Sequence, residues 1–301
     1  MNSSNYETPE SLKKVWRVEM DLLQKLLDVC RQMGLTCWVD GGTMLGTVRH
    51  KGFIPWDDDI DVIMPRKDYD RLLHESDGYF EAPYFLQSAY SDIDYFRGHA
   101  QLRNSNTAAI RPADSFQPFN QGIFIDICPL DDAPDDVAVR KDLIRRSHKI
   151  FRYLRSKNTA IIASGRLTLI FRKIKCRIDV KRHGWANIYK RAEDILRSAS
   201  STGKCTKIAQ MSFSGDDLMM DRDIFADTVW MDFEDMKVPV PVGYDRFLTI
   251  QYGDYMTPVR DMSYHGELIF DTEHSYKELL PEVRRQYRKS AFRRLYQKIT
   301  K

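Results

Sequence analysis

The sequence predicts a mixed α/β protein, a sheet flanked by helices with a basic helical insertion. Three observations predict it. A helical pattern of apolar residues over 10–33 gives way at Gly34 to a short apolar run over 35–39. Two segments, 59–64 and 122–128, alternate as half-buried strands do, the second rich in β-branched residues. Lysine and arginine then crowd residues 140–191, which read as helix. The chain has 301 residues with a 43% apolar fraction, enough for a sizeable core. It divides into a mixed α/β core over 1–134, a basic helical region over 135–225, and a return segment over 226–301 that completes the core and ends in a basic tail.

The elements follow in order. Thr8 is placed to cap the first helix with Pro9 at its first position. Leu12, Val15, Trp16, Leu22, Leu23, Leu26, Cys30 and Met33 recur at helical spacing until Gly34 ends the helix. A strand over 35–39 runs into Asp40-Gly41-Gly42, and a short helix covers 43–49. A loop over 51–58 carries Gly52 and Pro55. The strand over 59–64 is broken by Pro65, and a helix follows over 66–74. Segments 84–89 and 99–102 are candidate strands, and 122–128 is a strand stopped by Pro129. Strands over 229–233 and 237–240 precede a helix over 244–252 that Gly253 ends.

Composition narrows the function. Five cysteines, an odd number with no C-x-x-C pair, point to free thiols rather than a disulfide framework or zinc site. The first ten residues are polar, and apolar runs such as 160–163 and 169–171 are far shorter than a membrane span, so the expectation is a cytoplasmic protein. The net charge of +3 conceals a segregation. Residues 140–191 hold 17 Lys/Arg against Asp142 and Asp179, and residues 284–301 hold eight Lys/Arg and no acid. The remainder is strongly acidic. The basic stretch is interleaved with apolar residues, which suits an anionic membrane surface at the inner face of the membrane. A polyanionic glycan and a nucleic acid are the lesser alternatives, and a plain solvated helical face is the structural one.

The chemistry is carried by Asp40-Gly41-Gly42-Thr43 and by Asp57-Asp58-Asp59-Ile60-Asp61. Alternation puts Asp59 and Asp61 on one strand face and Ile60, Val62 and Met64 on the other. The same rule sets Asp126 apart from Ile123, Ile125 and Ile127. Neighbouring strands would then bring three carboxylates together. Such a cluster repels itself unless a hard divalent cation is present. Mg²⁺ fits, and Mn²⁺ can serve in its place. A glycine pair between strand and helix lets backbone approach a phosphate, which Thr43 can also hold. Arg49, His50, Lys51 and Arg103 stand near these motifs as candidate phosphate-binding cations. Asp57 and Asp58 are either accessory or simply solvated. Taken alone, a glycine pair or an acidic run is more often loop than site; the combination is what points to phosphate chemistry.

The stretch 40–64, DGGTMLGTVRHKGFIPWDDDIDVIM, resembles the signature of the LicD family, which is similar to the fukutin group. The resemblance extends to LRNSNT at 102–107, GIFIDICPLDD at 122–132 and YGDYMTP at 252–258. It implies a nucleotidyltransferase fold and an enzyme that moves a phospho-alcohol, phosphocholine foremost, from a CDP-linked donor to a sugar hydroxyl. The acceptor it implies is a cell-surface glycan or its lipid-linked precursor. By the same resemblance Asp59, Asp61 and Asp126 are the catalytic, metal-binding carboxylates, and Gly41, Gly42 and Thr43 cradle phosphate. A choline headgroup would call for aromatic walls, for which Trp56, Tyr84, Tyr90, Tyr95, Phe96 and Trp230 are available, unless they are core. The rival enzyme is a nucleotidyltransferase that transfers NMP and releases pyrophosphate. The rivals of another class are an inactive nucleotide-binding module and a nucleic-acid-binding protein; no nucleic-acid partner is expected, since it leaves the carboxylates unexplained.

Overall fold

The computed structural model describes residues 7–157, 167–212, 218–258 and 268–299. The apolar run over 160–163 lies outside them. The architecture is mixed α/β, as expected. Helix α1 (Glu10–Met33) buries Val15, Leu22, Leu23, Leu26 and Cys30 against the sheet, and Gly34 ends it at a left-handed φ of 63°. Thr8 does not cap this helix. Pro9 occupies the cap position, and the Thr8 hydroxyl instead donates to Pro55 O at 2.9 Å, tying the chain start to the acidic loop.

The central sheet is built from β1 (Trp38–Val39), β2 (Asp61–Pro65), β3 (Tyr84–Gln87), β4 (Ala100–Asn104) and β6 (Ile123–Ala133), in the order β1-β2-β6-β4-β3. β2 and β6 are parallel, and the other pairs are antiparallel. β1 is shorter than expected because the Thr36 N–H donates to the Asp68 carboxylate rather than to a neighbouring strand. β6 is longer than expected, running through Pro129. Its ladder with β2 continues to Leu130. On its other side the pairing with β4 stops at Ile127, and that with β7 (Lys207–Ala209) starts at Asp131. Pro129 thus falls where no partner strand requires an N–H. β8 (Met219–Asp221) extends this edge beyond β7.

Helix α2 (Gly41–His50) begins at the glycines, two residues before its expected start, and α3 (Arg66–Glu75) follows β2. The basic region forms α4 (Val137–Arg155), α5 (Leu167–His183) and α6 (Trp185–Arg197), whose Leu143, Phe151, Leu154, Cys176, Ile188, Tyr189 and Leu196 make a second core. It is bound to the sheet by a shielded ion network. Arg66 meets Asp131 at 2.7 Å and Glu193 at 3.4 Å, and Arg197 meets Asp70 at 2.7 Å and Glu193 at 3.0 Å.

The hairpin β9 (Thr228–Phe233) and β10 (Met236–Pro241) turns at Glu234, whose carboxylate accepts from the Phe53 N–H and whose N–H donates to Lys51 O. It therefore clamps the start of the acidic loop. Helix α7 (Tyr244–Tyr252) ends at Gly253, as expected. β5 (Ala108–Ile110) pairs with β11 (Ile269–Asp271), and the basic tail begins as helix α8 (Tyr276–Ile299), which packs Tyr276, Leu280 and Val283 on that pair. All five cysteines are free.

Candidate active site

Asp61 opens β2 and lies directly opposite Asp126 in the parallel ladder. Side chains alternate, so both carboxylates leave the same face of the sheet. Ile60, Val62, Met64, Ile123, Ile125 and Ile127 are all buried, the apolar set that the alternation predicts. Asp59 stands outside the strand, ahead of it, because the preceding chain is held in an arch: the Trp16 indole donates to Asp57 O at 2.8 Å, and Asp57 N donates to Ile54 O. Its carboxylate nonetheless reaches the pair. One oxygen each from Asp59, Asp61 and Asp126 lies within 4.8 Å of the others, and Asp57, Asp58 and Asp59 form a second such trio.

The backbone around the pair is tightly specified. The Asp61 N–H donates to Thr43 Oγ at 2.9 Å, Asp40 N–H donates to Asp61 O, and Asp126 N–H donates to Ile60 O. Thr43 is therefore a positioning residue, which the sequence did not reveal. The glycine pair provides close approach, but to carboxylates of the chain itself. Gly41 has φ +51°, and a Cβ there would lie 3.2 Å from Asp61 Oδ2; a Cβ on Gly42 would lie 2.4 Å from Asp57 Oδ2. A side chain at either position would crowd the cluster.

A polar row continues across the sheet. Asp126 pairs with Gln101 on β4, and Gln101 pairs with Gln87 on β3. The Gln101 amide donates to Asp126 Oδ1 at 2.5 Å, and His99 Nε2 lies 3.1 Å from the same oxygen. Arg103 stands behind this row, fully shielded. It donates to Gln101, Gln87 and Gly122 O and stacks on Phe124. Burial lowers its pKa to about 10. This corrects the expectation for Arg103. Its guanidinium is consumed within the sheet and fixes the Gln101 that fixes Asp126, so it does not face a phosphate.

Arg49 also departs from the expectation. It occupies the last turn of α2, roughly 12 Å along the axis from the glycines at 1.5 Å per residue. There it donates to Tyr255 O at 2.7 Å, tying α2 to the 252–258 segment. His50 and Lys51 share that far end. Tyr252 of the same segment does reach the site. Its hydroxyl lies 3.9 Å from the position of a Gly41 Cβ, and burial followed by the charges of Asp40, Asp61, Asp57 and Asp59 raises its pKa.

The electrostatics separate the carboxylates. Burial, then the charges of Asp57, Asp126 and Asp58, push Asp59 well above the usual range. Burial would also raise Asp126, but the His99 charge and the hydrogen bonds from His99 and Gln101 prevail and bring it to about 2. Asp40, buried and accepting from Gln210, is pushed up to about 6 by burial. His99, Gln101, Gln210 and Tyr252 are site residues that sequence reasoning missed. The alternation His99-Ala100-Gln101-Leu102-Arg103 carried the signal for the first two.

The proposed aromatic walls divide: Tyr95 and Phe96 line a cavity that His99 also lines, while Tyr84, Tyr90 and Trp230 do not. Tyr84 donates to Asp21, Tyr90 to Glu193, Tyr95 is core, Phe96 packs on Trp185, and Trp230 is exposed on the hairpin. Trp56 alone adjoins the acidic run in sequence.

Two kinds of comparison relate the chain to known proteins. Residues 34–119 match the family model described as LicD/FKTN/FKRP, nucleotidyltransferase domain. The chain is 26% identical over 272 residues to the lipopolysaccharide cholinephosphotransferase LicD of Haemophilus influenzae, covering 85% of this chain and 96% of that protein. Shorter similarities link it to uncharacterized proteins of Rickettsia typhi (32% over 71 residues) and Rickettsia prowazekii (30% over 80 residues). The former spans 23% of this chain and 20% of that protein, the latter 26% and 27%. The matched span contains Asp59, Asp61 and the glycine pair, while the third carboxylate comes from β6 just beyond it. Residues 34–119 thus match the LicD/FKTN/FKRP nucleotidyltransferase domain family, and most of the chain is distantly similar to LicD.

Proposed function

We propose that the chain is a divalent-metal-dependent phosphotransferase that moves a phospho-alcohol, phosphocholine foremost, from a CDP-linked donor to a sugar hydroxyl of a surface glycan or its lipid-linked precursor. The observation that carries the reading is the register pairing of Asp61 with Asp126, with Asp59 close enough for all three to share one ion. The similarity to a lipopolysaccharide cholinephosphotransferase along most of the chain supports the choice of reaction.

The residues fit a hard cation. The donor set is all carboxylate oxygen, and burial followed by the charges of Asp57 and Asp126 raises the Asp59 pKa, a cost that an ion relieves. Mg²⁺ or Mn²⁺ held by Asp59, Asp61 and Asp126 supplies neutralisation of phosphate charge. The chain does the rest. The first turn of α2 at Gly42 and Thr43 presents amides to a donor phosphate. Gln101 and His99 hold Asp126 in one orientation, and Thr43 holds Asp61. The acceptor oxygen bonds to phosphorus, the bond to the bridging oxygen breaks, CMP leaves with that oxygen, and a carboxylate of the cluster receives the hydroxyl proton.

The partner surface follows from α5. Phe171, Ile174 and Ile178 are 71%, 51% and 45% exposed, Cys176 faces inward, and Arg172, Lys175, Arg177, Lys181 and Arg182 flank the stripe. Such a face suits an anionic bilayer that carries a lipid-linked acceptor. Among the described residues no helix is long and apolar enough to cross a membrane, so association is peripheral in this reading.

The test is phosphorus NMR of the protein with Mg²⁺ and CDP-choline, CDP-ethanolamine, CDP-ribitol, CDP-glycerol or CTP, water serving as the default acceptor. CMP and a free phospho-alcohol from one CDP-alcohol are expected. Pyrophosphate from CTP alone would favour the nucleotidyltransferase instead, and inertness toward all would favour the binding module.

A further inference from the structure

On the β4 side of the carboxylates lies a cavity of about 750 Å³, within the size range of small-ligand sites. His99, which contacts Asp126, forms part of its wall, so the cavity adjoins the cluster. The remaining wall is cationic and aromatic, the aromatic part being Tyr95, Phe96, Phe119, Phe151 and Tyr287. Arg97 precedes β4, Arg111 follows β5, and α4 contributes His148, Arg152 and Arg155. The last three recur at i, i+4 and i+7, which places them on one helix face. Two carboxylates, Asp94 and Asp114, also line it, and each already has a cation: Asp94 binds Lys157, and Asp114 meets Arg97 at 3.1 Å. The guanidinium groups crowd one another. Loss of hydration and then the charges of Arg97 and Arg152 lower the Arg155 pKa. An oxyanion in the cavity would relieve that crowding and meet planar donor groups suited to it.

We propose that this cavity is an oxyanion subsite for the acceptor, and that the acceptor is therefore an acidic sugar bearing a phosphate or carboxylate group. The inference rests on the transferase reading given above. Its direction comes from the sheet. The carboxylates have two flanks: α2 with its glycine pair on the β1–β2 side, and His99 with the cavity on the β4 side. In-line transfer sets the attacking and leaving oxygens on opposite sides of phosphorus. A donor lying over α2 leaves the cavity flank for the attacking hydroxyl. The acceptor's charged group then anchors it among the arginines.

Calorimetry at low ionic strength tests this on the full chain, with glucose 6-phosphate, glucuronate and glucose as sugar probes and CDP-choline with Mg²⁺ as the donor probe. Arg152 and Arg155 are exposed on α4, so an Arg152→Gln/Arg155→Gln double variant leaves the core intact. The two anionic sugars are expected to bind at least tenfold more tightly than glucose, to weaken with added salt, and to lose at least tenfold in the double variant. Donor binding in that variant should stay within twofold of the parent. Equal binding of glucose and the anionic sugars, or sugar binding unchanged in the variant, overturns the subsite. Loss of donor binding in the variant assigns the cavity to the donor diphosphate and overturns the acceptor assignment. Failure of the parent to bind CDP-choline overturns the transferase reading itself, and with it the acceptor role.

Discussion

Asp61 and Asp126 face each other across the parallel β2–β6 ladder, and the row they begin continues through Gln101 and Gln87 to the far strand. The pairing concentrates negative charge where the backbone allows little retreat. Removing one charge should relieve the metal-free fold while disabling the site. Asp61→Asn is expected to abolish turnover, and in EDTA to melt no lower than the parent. Thermal unfolding followed by circular dichroism checks this; a large loss of stability would mean the carboxylate is structural.

Thr43 reaches the site through Asp61. Thr43→Val removes the acceptor of the Asp61 N–H. Leaving that donor without a partner costs about 1–3 kcal/mol. Activity should fall because Asp61 loses its fixed position, and Thr43→Ser should restore both properties. Rescue by Val as complete as by Ser would remove Thr43 from the account.

Glu19 of α1 lies beside the cluster, 1% exposed, with no hydrogen-bond partner for Oε2 among the described residues. Burial, then the charges of Asp59, Asp58, Asp57 and Asp61, raise its pKa well above the usual 4.5. A raised folded pKa means the native state holds the proton more tightly. The resulting stability is fully present below the unfolded value and is lost as pH rises through the folded one. Glu19→Gln does not titrate, so it should be close to the parent below the usual carboxylate range and increasingly the more stable as pH climbs above it. Denaturant melts in EDTA at several pH values measure the gap; a constant gap would contradict the burial argument.

Much of this site was legible before the fold. The period-two pattern separated Asp61 and Asp126 from Val62, Ile125 and Ile127, and Gly34 and Gly253 ended helices where their conformational freedom is used. What escaped depended on distant pairing. Arg103 read as a surface cation because its sequence neighbours do not show that Gln87 and Gln101 enclose it from two strands. Pro129 read as a stop because the gap between β4 and β7 is set by chain far away. Asp59 was placed on the strand, but Trp16 from α1 holds the preceding residues in an arch. The cavity arginines were visible as basic composition only, since Arg97 and Arg155 come to line one cavity through the packing of α4 in the second core.

The α5 stripe gives a separate prediction. Vesicles containing phosphatidylglycerol should sediment the protein, with binding that weakens in salt, and neutral phosphatidylcholine vesicles should not. Phe171→Glu should reduce sedimentation severalfold while leaving metal-dependent donor binding unchanged. Equal sedimentation with both vesicle types, or none with either, would remove the membrane from the account.

The most direct test of the central claim is the melting temperature of the protein with and without Mg²⁺ and CDP-choline, beside Asp61→Asn and Asp126→Asn. A ligand at about 100 times its dissociation constant adds roughly 2.7 kcal/mol to stability. The account predicts a rise that needs ion and nucleotide together and vanishes in both variants. A rise that persists without Mg²⁺, or in either variant, would contradict a metal-centred site built on Asp61 and Asp126.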